Sequence, residues 1–85
     1  MIYRTRVLLG THDECMRYAS QSGWKRHEFK EWRNILLGHR LRGDDIIVLP
    51  SWPVVRESMR PDVYEGLLND LRCRLERDEV LPDGI

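Results

Sequence analysis

The sequence has too few residues of several types to form some common classes of small protein. It has two cysteines in 85 residues, Cys15 and Cys73, which excludes a disulfide scaffold and favours a reducing compartment. No apolar run approaches the roughly 18 residues that a membrane span requires, and the first residues do not form a signal peptide. We therefore expect a cytoplasmic protein that has no membrane partner.

The sequence also lacks net charge, because 14 cationic side chains balance 14 acidic ones. A neutral chain has no overall field that would attract nucleic acid or an anionic membrane. The charge is unevenly distributed, since residues 24–43 carry six cationic and two acidic side chains, whereas residues 44–85 carry five and ten. These opposed halves favour self-association as a homodimer. The alternative is an ordinary solvated surface.

The length allows one domain and no second core. Hydrophobic residues make up 41% of the chain and charged residues 33%, a balance that argues against disorder. We expect a single domain over residues 1–79, followed by a C-terminal tail over residues 80–85. The tail could dock through Val80 and Leu81.

Local patterns predict strands at residues 2–9 and 45–50, since both segments contain the continuous apolar run of a strand buried on two faces. A third strand is placed at residues 28–35 on weaker periodicity, followed by a helical turn at 36–42. A competing interpretation makes residues 34–37 the strand.

Two helices have clear start signals. A capping box precedes a helix at residues 12–22: the Thr11 hydroxyl can accept from the Glu14 amide while the Glu14 side chain reaches back. Gly23 suits the left-handed end of this helix. The second helix, at residues 61–77, starts with a proline and carries the longest amphipathic stripe. The stripe consists of Val63, Tyr64, Leu67, Leu68, Leu71 and Leu75.

The order of these elements is typical of a parallel α/β sheet. We predict three mainly parallel strands in the order 2-1-3 with two main helices, which is half of a doubly wound fold. Two helices would leave one face or edge of the sheet poorly covered, and a dimer would cover it.

Several short motifs occur in an order that one group of proteins shares. They are Val7-Leu8-Leu9-Gly10, Arg17-Tyr18-Ala19, Leu41-Arg42-Gly43 with residues 44–49, Trp52, and Pro61-Asp62. In this the chain resembles small orphan proteins of mycobacteriophages and other actinobacterial phages, in which a Leu-Arg-Gly turn precedes a buried strand and a Trp-bearing loop. The resemblance implies a compact α/β accessory protein in the cytoplasm of a bacterial host. It makes a host protein a reasonable partner and implies no particular activity.

Open parallel sheets bind ligands at the carboxyl ends of their strands. That edge would carry Thr11 and His12 after the first strand, and Ser51 and Trp52 after the third. The amides at the helix start suit an anion, but Gly10 stands alone where a dinucleotide-binding loop has three glycines. The pattern favours a turn and a helix cap, with nucleotide binding as an alternative.

Nothing in the sequence predicts catalysis, a metal or a cofactor. His12, His27 and His39 are far apart, and Cys15 has no Cys-x-x-Cys partner. A nucleophilic Cys15–His12 pair on the first helical turn is disfavoured, because the Cys15 thiol would lie on the apolar face of the helix. Without a recognisable nucleophile motif, we expect a protein that is not an enzyme.

Two kinds of binding remain. The cationic residues of 24–43 are interleaved with Trp24, Phe29 and Trp32. The cationic side chains could contact phosphates, and the aromatic rings could stack on bases. The neutral total charge and the absence of a known module favour core aromatics beneath a solvated basic face instead. An incomplete sheet and a leucine stripe suit a protein interface. Protein binding is therefore our first hypothesis and nucleic-acid binding the second.

The first contact residues that we predict are Trp52 and the turn with Arg40 and Arg42. Residues 51–53 are predicted to form a loop after a buried strand, and loops held by a rigid scaffold often carry binding residues. Arg40 and Arg42 lie at the opposite end of the same strand. Trp and Arg are enriched among binding hot spots. The alternative is that Trp52 folds back and covers Val63 or Leu67.

Overall fold

A computed structural model describes residues 5–34 and 40–85. The strands are β1 (Arg6–Leu9), β2 (Phe29–Glu31) and β3 (Ile46–Val48), and the helices are α1 (His12–Gln21), α2 (Trp52–Ser58) and α3 (Pro61–Arg74). Short 3₁₀ turns occupy Arg26–Glu28, Trp32–Asn34 and Gly43–Asp45. Within the described residues, no helix has the length and apolarity that a membrane crossing needs.

The three strands form one parallel sheet in the order β2-β1-β3, which confirms the predicted α/β class and strand order. Val7 of the central strand is in register with Lys30 on one side and with Ile46 on the other. A parallel sheet needs crossover connections, and α1 supplies the first of them between β1 and β2.

β2 starts close to its predicted position but ends at Glu31 instead of residue 35. The chain leaves the sheet because Trp32 turns inward in a 3₁₀ helix, where its indole N–H donates to the Gly10 carbonyl at 3.3 Å. Of the competing strand at 34–37, Asn34 belongs to this turn and the rest lies outside the described residues.

Two further sequence predictions fall partly on segments that the structure does not describe. Residues 2–4 of the first predicted strand lie outside the described residues, as do residues 36–39 of the predicted helical turn. The described end of that turn is not helical, because Leu41 forms an isolated parallel bridge with Leu75.

The two faces of the sheet bury different side chains, because neighbouring strand residues point to opposite faces. Val7, Leu9 and Ile46 belong to a buried cluster with residues of α2 and α3. Leu8 and Leu49 belong to a second cluster with residues of α1. Burial on both faces explains why the strands appear in the sequence as unbroken apolar runs.

The segment after β3 is a helix, which corrects the prediction of a loop at residues 51–53. Pro53 fits the first turn of α2, because the N–H that proline lacks has no partner in a first turn. Trp52, Val55 and Met59 all lie in or against the same core cluster. Their spacing of three and four residues is the sequence signal that indicates this helix.

α3 begins at Pro61 as predicted but ends at Arg74 instead of residue 77. The helix ends there because the backbone groups that follow it bond to Leu41. The Leu41 N–H donates to the Arg74 carbonyl, and the Leu41 carbonyl accepts from the Glu76 N–H, both at 2.8 Å. Within the apolar stripe, Leu67, Leu68 and Leu71 are buried and Val63 is exposed.

The tail lies against the core. Leu81 and Ile85 pack on the cluster beneath α2 and α3, whereas Val80 is 76% exposed. Docking through Leu81 is therefore confirmed, whereas the Val80 side chain is exposed and only the Val80 backbone lies close to the core, beside Gly43. The Ile85 backbone oxygen accepts hydrogen bonds from the Trp52 indole and the Tyr64 hydroxyl, both at 3.0 Å.

Candidate functional site

The carboxyl ends of β1 and β3 meet where an open parallel sheet commonly binds ligands. The structure brings the predicted residues Thr11 and Ser51 together there, since the Thr11 amide donates to Ser51 Oγ at 2.9 Å. The Thr11 hydroxyl caps α1 by accepting from the Glu14 amide at 3.3 Å, as predicted, and Gly23 follows the helix at φ 73°.

The other half of the predicted capping box is wrong. Glu14 does not reach back to Thr11, because the Thr11 amide already donates to Ser51. The Glu14 carboxylate instead accepts from the Ser51 amide at 2.7 Å. These two bonds join the start of α1 to the loop after β3.

This crevice is filled by groups of the protein itself. A Cβ on Gly10 would lie 2.7 Å from Ser51 Oγ and 3.1 Å from Leu49 Cβ, so the loops are in close contact. An anion entering here would have to displace Ser51 and would meet the negative charge of Glu14. The geometry therefore favours the turn and cap at Gly10 and Thr11 over a phosphate site.

Glu14→Gln tests the link between α1 and the β3 loop. Hydrogen bonds from the Ser51 side chain and amide hold the pKa of Glu14 below its ordinary value of 4.5. A carboxylate with a lowered pKa stabilises the fold above its unfolded-state pKa, and this contribution is lost as the pH falls through the folded-state pKa. We therefore expect wild type to be more stable than the variant at neutral pH and the difference to disappear in acid.

Urea denaturation at several pH values measures this effect. Glu65→Gln, at an exposed position on α3, is the matched control for the substitution itself and should leave the stability at neutral pH close to that of wild type. A stability difference for Glu14→Gln that is the same at every pH would show that the Glu14 carboxylate does not accept these bonds.

Trp52 lies in the core, in agreement with the alternative that it folds back over the last helix. Its side chain is 0% exposed and belongs to the same buried cluster as Leu67. Its ring meets that of Trp32 edge-on, with centroids 5.9 Å apart, and its indole N–H is bonded to Ile85. A wholly buried ring presents no surface to a partner, so Trp52 is not available as a contact residue in this fold.

Arg40 and Arg42 lie before β3, away from the Ser51 crevice, so the predicted site residues do not form one site. The Arg42 amide donates to Asp45 Oδ2 at 2.9 Å, and its Nε lies 3.5 Å from Glu79 Oε1. Arg40 is exposed, while Leu41 between the two arginines is fully buried. Arg42 is thus held by the protein's own carboxylates.

The aromatic residues of the basic segment face inward rather than outward. Phe29 is buried, and Trp24 and Trp32 are half-buried. Trp24 packs edge-on against Tyr18 at 5.6 Å between centroids. This arrangement agrees with core aromatics beneath a basic face and leaves no exposed ring for stacking on bases.

Cys15 and His12 do not form a nucleophilic pair. The Cys15 thiol is buried and lies 3.7 Å from the Leu8 carbonyl oxygen, and burial raises its pKa to about 11. A thiol with this pKa stays protonated near neutral pH and is a poor nucleophile. His12 pairs with a carboxylate of β2 instead, and the described residues contain no cluster of three or more metal-ligating side chains.

A groove of about 500 Å³ runs between α1 and β3, and we call it the β3 groove. Its lining consists of Glu14, Arg17, Tyr18 and Gln21 from α1, and Ile47, Val48, Leu49 and Pro50 from β3 and the residues after it. The sequence indicated that one face or edge of the sheet would be poorly covered, but not which one.

The backbone of β3 directs hydrogen-bonding groups away from the sheet. The Leu49 N–H donates to the Leu9 carbonyl at 2.9 Å, and Val48 is in register with Leu9. Since alternate residues of a parallel strand bond to the same neighbour, the N–H and C=O of Val48 point away from β1. Neither group has a hydrogen-bond partner in the part of the chain that the structure describes.

A second groove, of about 430 Å³, lies between α1 and β2, and we call it the His12 groove. It is lined by His12, Met16, Arg26, Phe29, Lys30, Glu31 and Asn34. His12 Nδ1 lies 2.9 Å from Glu31 Oε2. Of these residues, His12 was predicted as a binding residue, and Arg26, Phe29 and Lys30 belong to the basic segment of the alternative nucleic-acid hypothesis.

In comparisons with known proteins, the chain matches no family model, no curated protein and no solved structure. The fold is therefore assigned from the sheet topology, and the likeness to phage proteins stays a prediction.

Proposed function

We propose that this protein is a non-catalytic binding protein that takes up an extended segment of a partner protein along the β3 groove. The observation that carries the proposal is the pair of outward-facing backbone groups of Val48, which have no partner among the described residues. An extended peptide can add a strand to such an edge through its own N–H and C=O groups.

The surroundings of Val48 support this mode of binding. Parallel strands are usually covered on both faces, but Ile47 on the α1 side of β3 is only half-buried. An added strand would place a side chain next to Ile47. Because Glu14 and Arg17 give the groove wall both signs of charge, the segment we expect alternates apolar and polar residues and has little net charge.

A phage accessory role with a host protein as partner is the biological form of this proposal. It rests on the likeness to small actinobacterial phage proteins described above. Nucleic-acid binding is less favoured, because the aromatic rings of the basic segment are turned inward.

Val48→Pro tests the proposal, with Val48→Ala as its matched control. Proline removes the outward N–H and is tolerated at sheet edges, whereas alanine keeps the N–H and only shortens the side chain. Proline removes one of the two backbone hydrogen bonds, which contributes about 1 kcal/mol, so we expect Val48→Pro to weaken partner binding by about fivefold or more. Val48→Ala should bind nearly as wild type does.

The measurement is recovery of a discrete protein from nuclease-treated bacterial host lysate, with thermal melts to show that each variant is folded. Equal recovery by wild type and Val48→Pro would contradict binding at this edge. Dependence of recovery on intact nucleic acid would favour the second hypothesis. A homodimer that Val48→Pro converts to a monomer, measured as solution mass, would assign the edge to self-association instead.

A further inference from the structure

We infer that the His12 groove binds a small phosphomonoester, with the phosphate held by His12, Arg26 and Lys30. The three residues come from α1, from the 3₁₀ turn Arg26–Glu28 and from β2, and they line one groove of about 430 Å³. This volume is within the range of small-molecule sites. The inference is independent of partner binding at β3.

Two cationic residues of this groove form no ion pair within the part of the chain that the structure describes. Neither Arg26 nor Lys30 lies within ion-pair distance of a carboxylate among residues 5–34 and 40–85, whereas Arg42, Arg60 and Arg74 each do. Two unpaired cations on one concave surface favour a bound anion, since charge-assisted hydrogen bonds to phosphate are among the stronger polar contacts.

Glu31 orients His12, and its single negative charge stands against the two cationic residues that line the same groove. Its side chain is 15% exposed and lies 2.9 Å from His12 Nδ1, so the acidic group that lines the groove is already engaged. With Nδ1 directed at the carboxylate, the other ring nitrogen, Nε2, is left for a ligand. Nε2 can accept a hydrogen bond from a phosphate hydroxyl when the ring is neutral, or donate one when it is protonated.

The remaining lining suits a ligand with an organic body. Phe29 is buried at 7% exposure and Met16 is 37% exposed, so two apolar residues line the groove together with its cationic residues. Asn34 adds a neutral polar residue to the lining. A phosphate ester of a small apolar or aromatic group would use both parts of this surface, whereas inorganic phosphate would use only the charges.

Titration of the full chain with phenyl phosphate and with inorganic phosphate, followed by NMR of the backbone amides, tests the inference. We expect saturable shifts concentrated at the residues of the His12 groove and tighter binding of phenyl phosphate. Arg26→Gln and Lys30→Gln should each weaken binding about tenfold, a loss of about 1.4 kcal/mol. Arg77→Gln, at an exposed position beyond α3, is the matched control and should bind as wild type does.

Three results would overturn the inference. They are the absence of saturable shifts in the groove, an equal loss of affinity in Arg77→Gln, and equal affinities for phenyl phosphate and inorganic phosphate. The first two exclude a phosphate site, and the third excludes the organic body. Val48→Pro should bind phenyl phosphate unchanged, so failure here is distinguishable from failure of partner binding at β3.

Discussion

Trp52→Ala is expected to destabilise the protein by about 3–5 kcal/mol, the range for removing a large aromatic side chain from a core. Trp52 is fully buried, packs edge-on against Trp32 and donates its indole N–H to the Ile85 backbone oxygen. Small domains are typically stable by about 5–15 kcal/mol, so this loss should remove a large part of the total. Urea denaturation followed by circular dichroism measures it without relying on tryptophan fluorescence.

Two matched variants locate the cause. Trp52→Phe keeps an aromatic ring but loses the indole hydrogen bond, so it should cost clearly less than alanine. Val54→Ala on the same helix removes a side chain that is 68% exposed and should change stability by no more than about 0.5 kcal/mol. An unchanged melting temperature for Trp52→Ala, together with lost partner binding, would return Trp52 to the surface role first predicted for it.

The parts of the fold that the sequence predicts well are those set by continuous burial. β1 and β3 are short apolar runs bounded by Gly10 and Pro50, and only a sheet covered on both faces requires such runs. The cap at Thr11 and the left-handed end at Gly23 are equally local, because each depends on residues within one helical turn. These features need no knowledge of distant contacts.

The features that the sequence does not predict all depend on distant contacts. Glu14 could bond either to its own helix cap or to Ser51, which lies 37 positions away, and the packing of β3 beside β1 decides between them. Trp52 appears exposed in the sequence because proline and serine flank it. It is buried because α2 turns it under α3 and the tail, where Ile85 accepts its N–H.

The two grooves escape sequence analysis for the same reason. Val48 appears as one apolar residue of a buried strand, and only the register with Leu9 shows that its backbone groups face outward. Arg26 and Lys30 appear as part of a basic segment, and only the packing of α1 beside β2 places them in one groove with His12. Composition indicates the basic surface, whereas the fold determines which cations converge.

Gly43→Ala is expected to lower stability by about 1–3 kcal/mol, the usual cost of forcing extra atoms into a packed site. A Cβ at this position would lie 2.6 Å from the Val80 carbonyl oxygen, so the backbone of the tail would have to move. The Gly43 amide also donates to Glu79 Oε1 at 3.0 Å, a bond that such a shift would strain. Gly66→Ala is the matched control, because a Cβ there meets nothing within 4 Å and alanine should stabilise α3 by about 0.5–1 kcal/mol.

Hydrogen exchange shows which part of the structure opens in Gly43→Ala, because exchange rates at the tail and at the central strand can be measured separately. The indole N–H of Trp52 is bonded to the tail at Ile85, whereas Leu8 lies at the centre of the sheet. If alanine detaches the tail from the core, the indole N–H of Trp52 should exchange with solvent much faster, while the exchange rate of the Leu8 amide changes little. Local opening exposes only the groups whose hydrogen bonds it breaks. Equal acceleration at Trp52 and Leu8 would mean that the whole fold opens, and it would contradict a tail that is held in place by close contact with Gly43.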